Sequence, residues 1–378
     1  MTTFVKRSEI DIRGAKTLPR EYYSSPEIFA EERERIFYRR WNCIGREDQI
    51  PAAGDYVVAT IGKESIIIVR DQGGAVRAFY NVCRHRGTRL CEESHGRFSG
   101  TILCPYHSWA YGLDGRLVGA PSTQDIVGFN KADYPLHRVA VETWEGFVFV
   151  NLEPHPEPLS EALAGLDDRV SRYNLPALKV HRQITYDVAA NWKLIVQNYS
   201  ECYHCSPVHP ALAKLTPPTS GENDLFEGAL LGGYMVLNEG TGSMSMTGRA
   251  CGVPVAELEA EEMVRVYYYS IFPNMLLSLH PDYVMFHTLW PVDTGRTRIV
   301  CGFLFHPDSL GTADYNPDDG VDFWDMTNRQ DWHICELSQL GVESRVYTPG
   351  PYSQRECLSA QFDREVLQAL GREGGNGD

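Results

Sequence analysis

The chain has 378 residues, 43% of them hydrophobic, and its 50 acidic against 35 basic side chains leave a net charge of −15. That length buries a sizeable core and leaves room for two domains, while the acidic balance argues against nucleic acid or an anionic membrane surface as a partner. With no 18-residue apolar run and no signal-peptide layout at the N-terminus, the expectation is a cytoplasmic protein whose ten cysteines stay reduced and mostly buried.

In chain order, residues 1 to about 20 have little to bury and are expected to be loose, as is the Gly-rich tail from Gly371. Ser25 to Arg40 predicts a helix, with Ser25 as N-cap, Pro26 at the first helical position and Ile28, Phe29, Ile36 and Phe37 as its apolar residues. From Trp41 to about Asn151 the pattern changes to short β-rich runs: Tyr56 to Ile61, Ser65 to Val69, Ala75 to Tyr80, Thr101 to Leu103 and Phe147 to Val150. Asp71-Gln-Gly-Gly marks a hairpin turn among them, and Pro154 to Pro158 reads as a linker. Asn191 then opens a helical stretch in which Trp192, Ile195, Val196 and Tyr199 share one stripe, while Asn198, Glu201 and His204 line an adjoining one at steps of three. Pro207 ends or bends that helix just before His209. Val264 to Phe272, Met275 to Leu279, Val284 to Leu289 and Arg298 to Phe305 predict successive antiparallel strands, with turns at Pro281-Asp282 and Asp293-Thr-Gly295. A last long helix is predicted over Val321 to Gly341, with Phe323, Met326, Ile334, Leu337 and Leu340 as its apolar residues.

Two motifs carry chemistry. Cys83-Arg84-His85 and Cys104-Pro105-Tyr106-His107, separated by 18 residues, supply two thiolates and two imidazoles from turn-rich stretches. This is the ligand set of a Rieske [2Fe–2S] cluster, with cysteines on one iron and histidines on the other, a one-electron relay. Structural zinc is the alternative, although zinc sites usually pair Cys with Cys and His with His, whereas each end here carries one of each. Ser108, Tyr106 and backbone N–H groups stand near enough in sequence to donate hydrogen bonds to sulfur, which raises the cluster potential.

The second motif is Asn198-x-x-Glu201-x-x-His204-x₄-His209. Two imidazoles and a nearby carboxylate are the makings of a 2-His-1-carboxylate site for non-haem Fe(II) and O₂; the alternative is a set of hydrogen-bonded core or surface histidines. Polar groups gathered on an otherwise apolar helix are costly to bury without a metal or partners. Cys202 and Cys205 form a CxxC in the same stretch, read as packing residues in preference to a redox dithiol.

Together, CxH, an 18-residue gap, CxxH and, about 90 residues later, Asn-Trp-Lys followed by this second motif resemble the large (alpha) subunit of Rieske non-haem iron oxygenases, from about Tyr22 to Phe362. The wording Asn198-Tyr-Ser-Glu-Cys-Tyr-His-Cys is most similar to the branch acting on quaternary amines: glycine betaine monooxygenase, carnitine oxygenase and stachydrine demethylase. The resemblance implies an α+β chain: an all-β Rieske domain over residues 41–153, and a catalytic domain with a curved antiparallel sheet wrapped around helices, helix-grip-like, formed by residues 1–40 and 154–378. It implies that Cys83, His85, Cys104 and His107 hold the [2Fe–2S] cluster and that His204 and His209 bind a mononuclear non-haem Fe(II). Asp331 best matches the family's third ligand, with Glu336 and Asp325 as fallbacks. Glu201 becomes the acid that bridges across a subunit boundary from His204 to a cluster histidine, His107, of the neighbour, and Asn198 lies close to the iron.

The function so implied is a terminal oxygenase, mono- or dioxygenase, that hydroxylates a small organic substrate with O₂. Its electrons come from a separate NAD(P)H-dependent reductase or ferredoxin, since no dinucleotide or flavin fingerprint appears in the chain. A homotrimer is the implied assembly. A quaternary amine undergoing N-demethylation or C–N cleavage is the leading substrate class; ring hydroxylation of an aromatic acid or hydrocarbon is the alternative. Tyr203, Tyr267, Tyr268, Tyr269, Tyr283, Phe286 and Trp290 are candidates for a cation–π cage, against their being ordinary core. Arg84, Arg86, Arg89 and Arg97 gather around the cluster loops, either as a landing site for an acidic donor or as solvated and ion-paired arginines.

Overall fold

A computed structural model describes residues 3–372. They form two compact units, one of residues 37–162 and one joining the described residues before 37 to those from 163 onward. Among the described residues no helix is long and apolar enough to cross a membrane.

The chain opens with a short strand, β1 (Val5–Lys6), paired with residues 222 and 223. This corrects the expectation of a loose N-terminus. Ile10, Ile12 and Leu18 are buried, the first two packing on Cys357, Leu358 and Ala360, and Gln354 Nε2 donates to the Arg7 carbonyl at 2.7 Å. Three buried aliphatic side chains remove enough apolar surface from water to order the segment. The expected loose tail lies, from residue 373, outside the described residues.

Ser25 caps its helix as predicted, its Oγ accepting from the backbone of Glu27 and Ile28 at 3.2 Å. The α-helix is shorter than expected, Pro26–Glu32, and gives way to a π turn over Arg33–Phe37.

The unit 37–162 is antiparallel β throughout its sheets. Its seven-stranded sheet contains β2 (Asn42–Arg46), β3 (Asp55–Ile61), β4 (Glu64–Arg70), β5 (Val76–Tyr80), β6 (His95–Arg97), β10 (Arg138–Trp144) and β11 (Phe147–Asn151), in the order β2-β11-β10-β5-β4-β3-β6. A second sheet is the meander β7 (Thr101–Leu103), β8 (Ala110–Gly112), β9 (Leu117–Gly119). The β4–β5 hairpin turns on Asp71, whose Oδ1 accepts from Gly73 N at 2.8 Å and Ala75 N at 2.9 Å. That side-chain-to-backbone closure is what Asp in a turn supplies. A core of Ile67, Val69, Phe79, Trp109, Tyr111 and Leu113 packs beneath the loops that carry Cys83 and Cys104.

The second unit is built on an eight-stranded antiparallel sheet. Its strands are β12 (Lys179–Val188), β13 (Glu222–Glu227), β14 (Leu230–Val236), β15 (Arg265–Ile271), β16 (Met275–Leu279), β17 (Val284–Asp293), β18 (Arg296–Phe305) and β1, in the order β1-β13-β14-β15-β16-β17-β18-β12. Of these, β12, β13 and β14 carry little apolar alternation and escaped the sequence. Gly233 explains part of that: a Cβ there would stand 2.0 Å from the Glu222 carbonyl, so β14 needs glycine to reach β13.

Three helices bear on this sheet unit: Trp192–Tyr199, the long helix Pro317–Val342 and Cys357–Ala369. Trp192 meets Phe362 edge-on at 5.6 Å between ring centroids, and the Cys335 thiol lies 3.7 Å from the Leu194 carbonyl. Lys193, fully buried, pairs with Glu32 at 2.5 Å, while Trp192 Nε1 donates to the other Glu32 oxygen at 2.9 Å. With both charges out of water, removing either partner strands the other and costs about 3–5 kcal/mol.

The long helix departs from its predicted apolar stripe. Leu337 and Leu340 are 51% and 70% exposed, whereas Trp324, Thr327, Asn328, Cys335 and Gln339 are buried. The inward face is therefore partly polar.

Candidate functional site

In the unit 37–162, the two Cys–His stretches fold into turns of one design. Cys83 N donates to Thr88 O at 2.8 Å and Gly87 N to Cys83 O at 3.0 Å; Cys104 N donates to Trp109 O at 2.8 Å and Ser108 N to Cys104 O at 3.1 Å. Gly87 and Ser108 occupy equivalent places and both have left-handed backbone, at φ +76° and +56°. Such a conformation suits glycine and strains serine by about 1 kcal/mol or more, so the surrounding structure must impose it on Ser108.

These turns bring all four side chains together. The Cys83 thiol feels the neighbouring Cys104 thiol, and the His85 and His107 rings are 4.7 Å apart, with His85 stacked on Trp109 at 4.8 Å. Both sulfurs are buried, whereas His85 is exposed and His107 half-buried. Burial pushes the Cys83 thiol pKa up and Cys104 adds to the rise, partly opposed by the Tyr111 hydroxyl. Two buried sulfurs with two imidazoles next to them are the ligand types that cationic iron takes, so the donor set fits a [2Fe–2S] cluster.

The hydroxyl that reaches sulfur is Tyr111, not Tyr106. Tyr111 Oη accepts from Arg84 N at 3.0 Å and lies 3.3 Å from Cys83 Sγ, free to donate its proton there. Tyr106 is 57% exposed, and the Arg86 guanidinium lies 5.5 Å from its ring centroid. Of the four loop arginines, Arg84 donates to Pro135 O at 2.6 Å and Arg97 pairs with Asp55 at 2.5 Å, while Arg86, whose charge reaches His85, and Arg89 are exposed.

In the other unit, Asn191 caps the helix Trp192–Tyr199, its Oδ1 accepting from Lys193 N at 3.0 Å. The helix stops at Tyr199, where Ser200 turns its hydroxyl back to Val196 O at 2.7 Å. Glu201 and His204 are thus not on the helix, which corrects the predicted three-step stripe. They are gathered by a turn instead: Glu201 accepts from the backbone of Tyr203 and of His204, and from His204 Nδ1. The same turn joins Cys202 to Cys205 in a disulfide, Cα–Cα 4.9 Å, correcting the expectation that both are reduced. The helical spacing assumed for them does not hold past Tyr199, and the turn brings the two sulfurs together.

His209, 2% exposed, follows the short helix Cys205–Val208. Its Nδ1 faces Gln330 Oε1 at 2.7 Å and its Nε2 faces Asp331 Oδ1 at 2.8 Å, while His204 Nε2 lies 3.2 Å from the same Asp331 oxygen. One ligand atom from each of His204, His209 and Asp331 falls within 4.8 Å of the others. Asn198 Nδ2 is 3.5 Å from His204 Nε2. Burial would raise the Asp331 carboxyl and lower the His204 imidazole, but their hydrogen bonds win: Asp331 is held ionised, and His204, paired also with Glu201, is pushed up to about 10. Protons on these nitrogens stand where a divalent cation would bind, and the two-imidazole, one-carboxylate set fits Fe(II).

Asp325 and Glu336 are engaged elsewhere. Asp325 accepts from Tyr186 Oη at 2.7 Å and Arg329 Nε at 2.9 Å, and Glu336 from Ala189 N at 3.1 Å.

A cavity opens beside His204, His209 and Asp331, with Tyr199, Tyr268 and Trp324 in its wall. Tyr199 is fixed by its hydroxyl to Leu277 O at 3.0 Å and Ser278 Oγ at 2.9 Å, and Tyr268 meets both Tyr199 and Trp324 at 6.2 Å between centroids. Of the seven aromatic residues proposed from sequence, Tyr268 alone lines this cavity. Tyr267 and Tyr269 point to the other face of β15, Tyr283 and Phe286 are core, and Tyr203 is exposed. Gln330, Tyr111, Tyr199 and Trp324 were not singled out for their roles, since nothing in local spacing distinguishes them from packing residues.

Comparison with known proteins finds a family match in each unit. Residues 40–139 match the Rieske [2Fe–2S] domain family, and residues 175–372 match the ring hydroxylating alpha subunit (catalytic domain) family. The glycine betaine monooxygenase oxygenase subunit of Pseudomonas aeruginosa (strain UCBPP-PA14) is 32% identical, over 94% of this chain and 90% of its own length. The carnitine monooxygenase oxygenase subunit of Escherichia coli (strain K12) is 38% identical over 53% of this chain and 54% of its own. The crystal structure of the quaternary ammonium Rieske monooxygenase CntA in complex with L-carnitine has a TM-score of 0.77 to this fold, covers 97% of this chain and 98% of its own, and is 27% identical. A family match in each unit and a relative 32% identical over 94% of the chain make this chain a member of the Rieske oxygenase family, oxidoreductases that combine a [2Fe–2S] cluster with a mononuclear non-haem iron.

Proposed function

We propose that the chain is the terminal oxygenase of a system that hydroxylates a small quaternary amine beside its nitrogen, giving a carbinolamine that breaks down by N-demethylation or C–N cleavage. Cys83, His85, Cys104 and His107 hold the cluster; His204, His209 and Asp331 hold the iron. Electrons come from a separate NAD(P)H-dependent reductase or ferredoxin. When bound, the two centres supply one-electron relay and O₂ activation, so that one oxygen atom enters the substrate and the other leaves as water.

The chain's own groups prepare both centres. With Gln330 Oε1 accepting a hydrogen bond from His209 Nδ1–H and Glu201 one from His204 Nδ1–H, both Nε2 lone pairs are left for the metal. Glu201 bridges, across a subunit boundary in a homotrimer, from His204 to the partner subunit's His107, while Asn198 stays beside His204 Nε2. Arg86, exposed near His85, and the exposed Arg89 form a docking point for an acidic donor.

The observation that carries the substrate reading is the cavity wall of Tyr199, Tyr268 and Trp324 next to the triad. Aromatic faces attract a desolvated trimethylammonium group by about 2 kcal/mol where they surround it. The glycine betaine and carnitine activities of the relatives support the same class. The test is O₂ consumption and formaldehyde release with a reductase across glycine betaine, carnitine and benzoate. Coupled turnover of a quaternary amine is expected; turnover confined to benzoate would overturn the reading in favour of aromatic hydroxylation.

A further inference from the structure

Arg7 sits on the short 3-10 turn Arg7–Glu9 that follows β1, and its side chain forms part of the wall of the iron cavity, together with Asn223 and Leu358. The same side chain borders an adjoining groove whose charged residues are Lys6, Arg355 and one carboxylate, Glu222, so that with Arg7 its cations outnumber its anion on a strongly acidic molecule. Gly221 makes room for it: a Cβ at that position would lie 2.6 Å from Arg7 Nη2.

Among the described residues the Arg7 guanidinium has no ion pair and no hydrogen bond, although its five N–H donors are half-withdrawn from water. Glu201 is the carboxylate whose field reaches it, and Glu201 is occupied by His204 and two backbone N–H groups. Burial opposes the charge, so the position is costly unless something anionic joins it. A guanidinium with a free fork is the side chain best shaped to take a carboxylate through two parallel hydrogen bonds.

We propose that Arg7 receives the carboxylate of the substrate, which makes the preferred substrate a zwitterion, its quaternary ammonium against Tyr199, Tyr268 and Trp324 and its carboxylate on Arg7. The ammonium half rests on the reading under Proposed function; the carboxylate half rests on Arg7 alone. The site then selects betaines over quaternary amines that end in a neutral group.

The test uses the iron-loaded holoenzyme with its reductase and three probes: glycine betaine, betaine amide, which keeps the ammonium and replaces the carboxylate by a neutral carboxamide, and benzoate. A charge-assisted pair is worth about tenfold to a hundredfold in affinity, so the wild type should show a KM for betaine amide higher than that for glycine betaine by this factor. Arg7→Gln should raise the KM for glycine betaine by a similar factor with kcat within a few-fold, leave betaine amide nearly unmoved, and be partly rescued by Arg7→Lys. Turnover of benzoate instead, lost in Arg7→Gln, would uphold Arg7 as the carboxylate group while overturning the quaternary-amine reading. Equal KM for glycine betaine and betaine amide in the wild type, which needs no variant to fold, would overturn the proposal, as would an Arg7→Gln loss that falls alike on both.

Discussion

Replacing Gln330 by leucine probes the proposed iron site through a side chain outside its ligand set. In the native site the Gln330 carbonyl accepts from His209 Nδ1 at 2.7 Å, and with His209 2% exposed no bulk water can replace it. Leucine keeps roughly the volume and deletes the acceptor, which leaves a buried N–H without a partner at a cost of about 1–3 kcal/mol. The imidazole escapes that cost by moving its proton to Nε2, where Asp331 Oδ1 waits 2.8 Å away, and the nitrogen meant for the metal is then blocked. Iron affinity should fall about 10–100-fold, the usual loss when the group orienting a metal-bound imidazole is removed. Gln330→Glu, which keeps an acceptor, should stay near the wild type. The assay is chelator competition on purified holoenzyme, iron retained per chain being read against the Rieske absorbance as an internal reference. Iron held as tightly by Gln330→Leu as by the wild type, at matched cluster content, would refute both the tautomer argument and the use of His209 Nε2.

Asp331→Ala should keep the Rieske spectrum and lose the mononuclear iron; full retention of that iron would remove Asp331 from the ligand set. Tyr111→Phe deletes a hydroxyl 3.3 Å from Cys83 Sγ. One hydrogen bond to sulfur favours the reduced cluster, so its loss should lower the midpoint potential on the order of 50 mV, read by spectroelectrochemistry. Asp363 is buried, and burial lifts its carboxyl to about 7 against the pull of Tyr352, Gln197 and Lys193. Because the folded pKa lies above the unfolded one, the stability it contributes is complete below about pH 4 and is lost as pH rises toward 7, by at most about 4 kcal/mol. Asp363→Asn should remove that slope, so denaturant curves of the two proteins should diverge between pH 4 and 7; parallel curves would refute it.

How much was legible in the chain follows from how local each interaction is. The gathering of Cys83, His85, Cys104 and His107 was readable because the four fall within two short turns of like spacing. The hairpin at Asp71 and the strands β15 to β18 were readable because alternation and turn residues act over a few positions. Tyr111 and Gln330 act on residues 28 and 121 positions away, and no period in the sequence marks them. The N-terminal segment misled for a similar reason: Ile10 and Ile12 are too few to signal an element, yet they find Cys357, Leu358 and Ala360 once the chain closes.

The long helix Pro317–Val342 shows the physical root of the remaining error. Periodicity assigns a helix's inward face to its leucines. Here Leu337 and Leu340 face out while Thr327, Asn328 and Asp331 are turned inward, with Asn328 Nδ2 3.7 Å from Cys301 Sγ of β18 and Asp331 on two imidazoles. Burying these groups costs free energy that a leucine stripe would have gained, and hydrogen bonds offset only part of it. For Asp331 the hydrogen bonds of His204 and His209 do outweigh burial and hold the carboxylate ionised, a task a bound cation would take over. Because iron binds the folded site and not the unfolded chain, apo protein should be less stable than iron-loaded protein, and the difference should vanish in Asp331→Ala, which lacks the carboxylate to hold the metal.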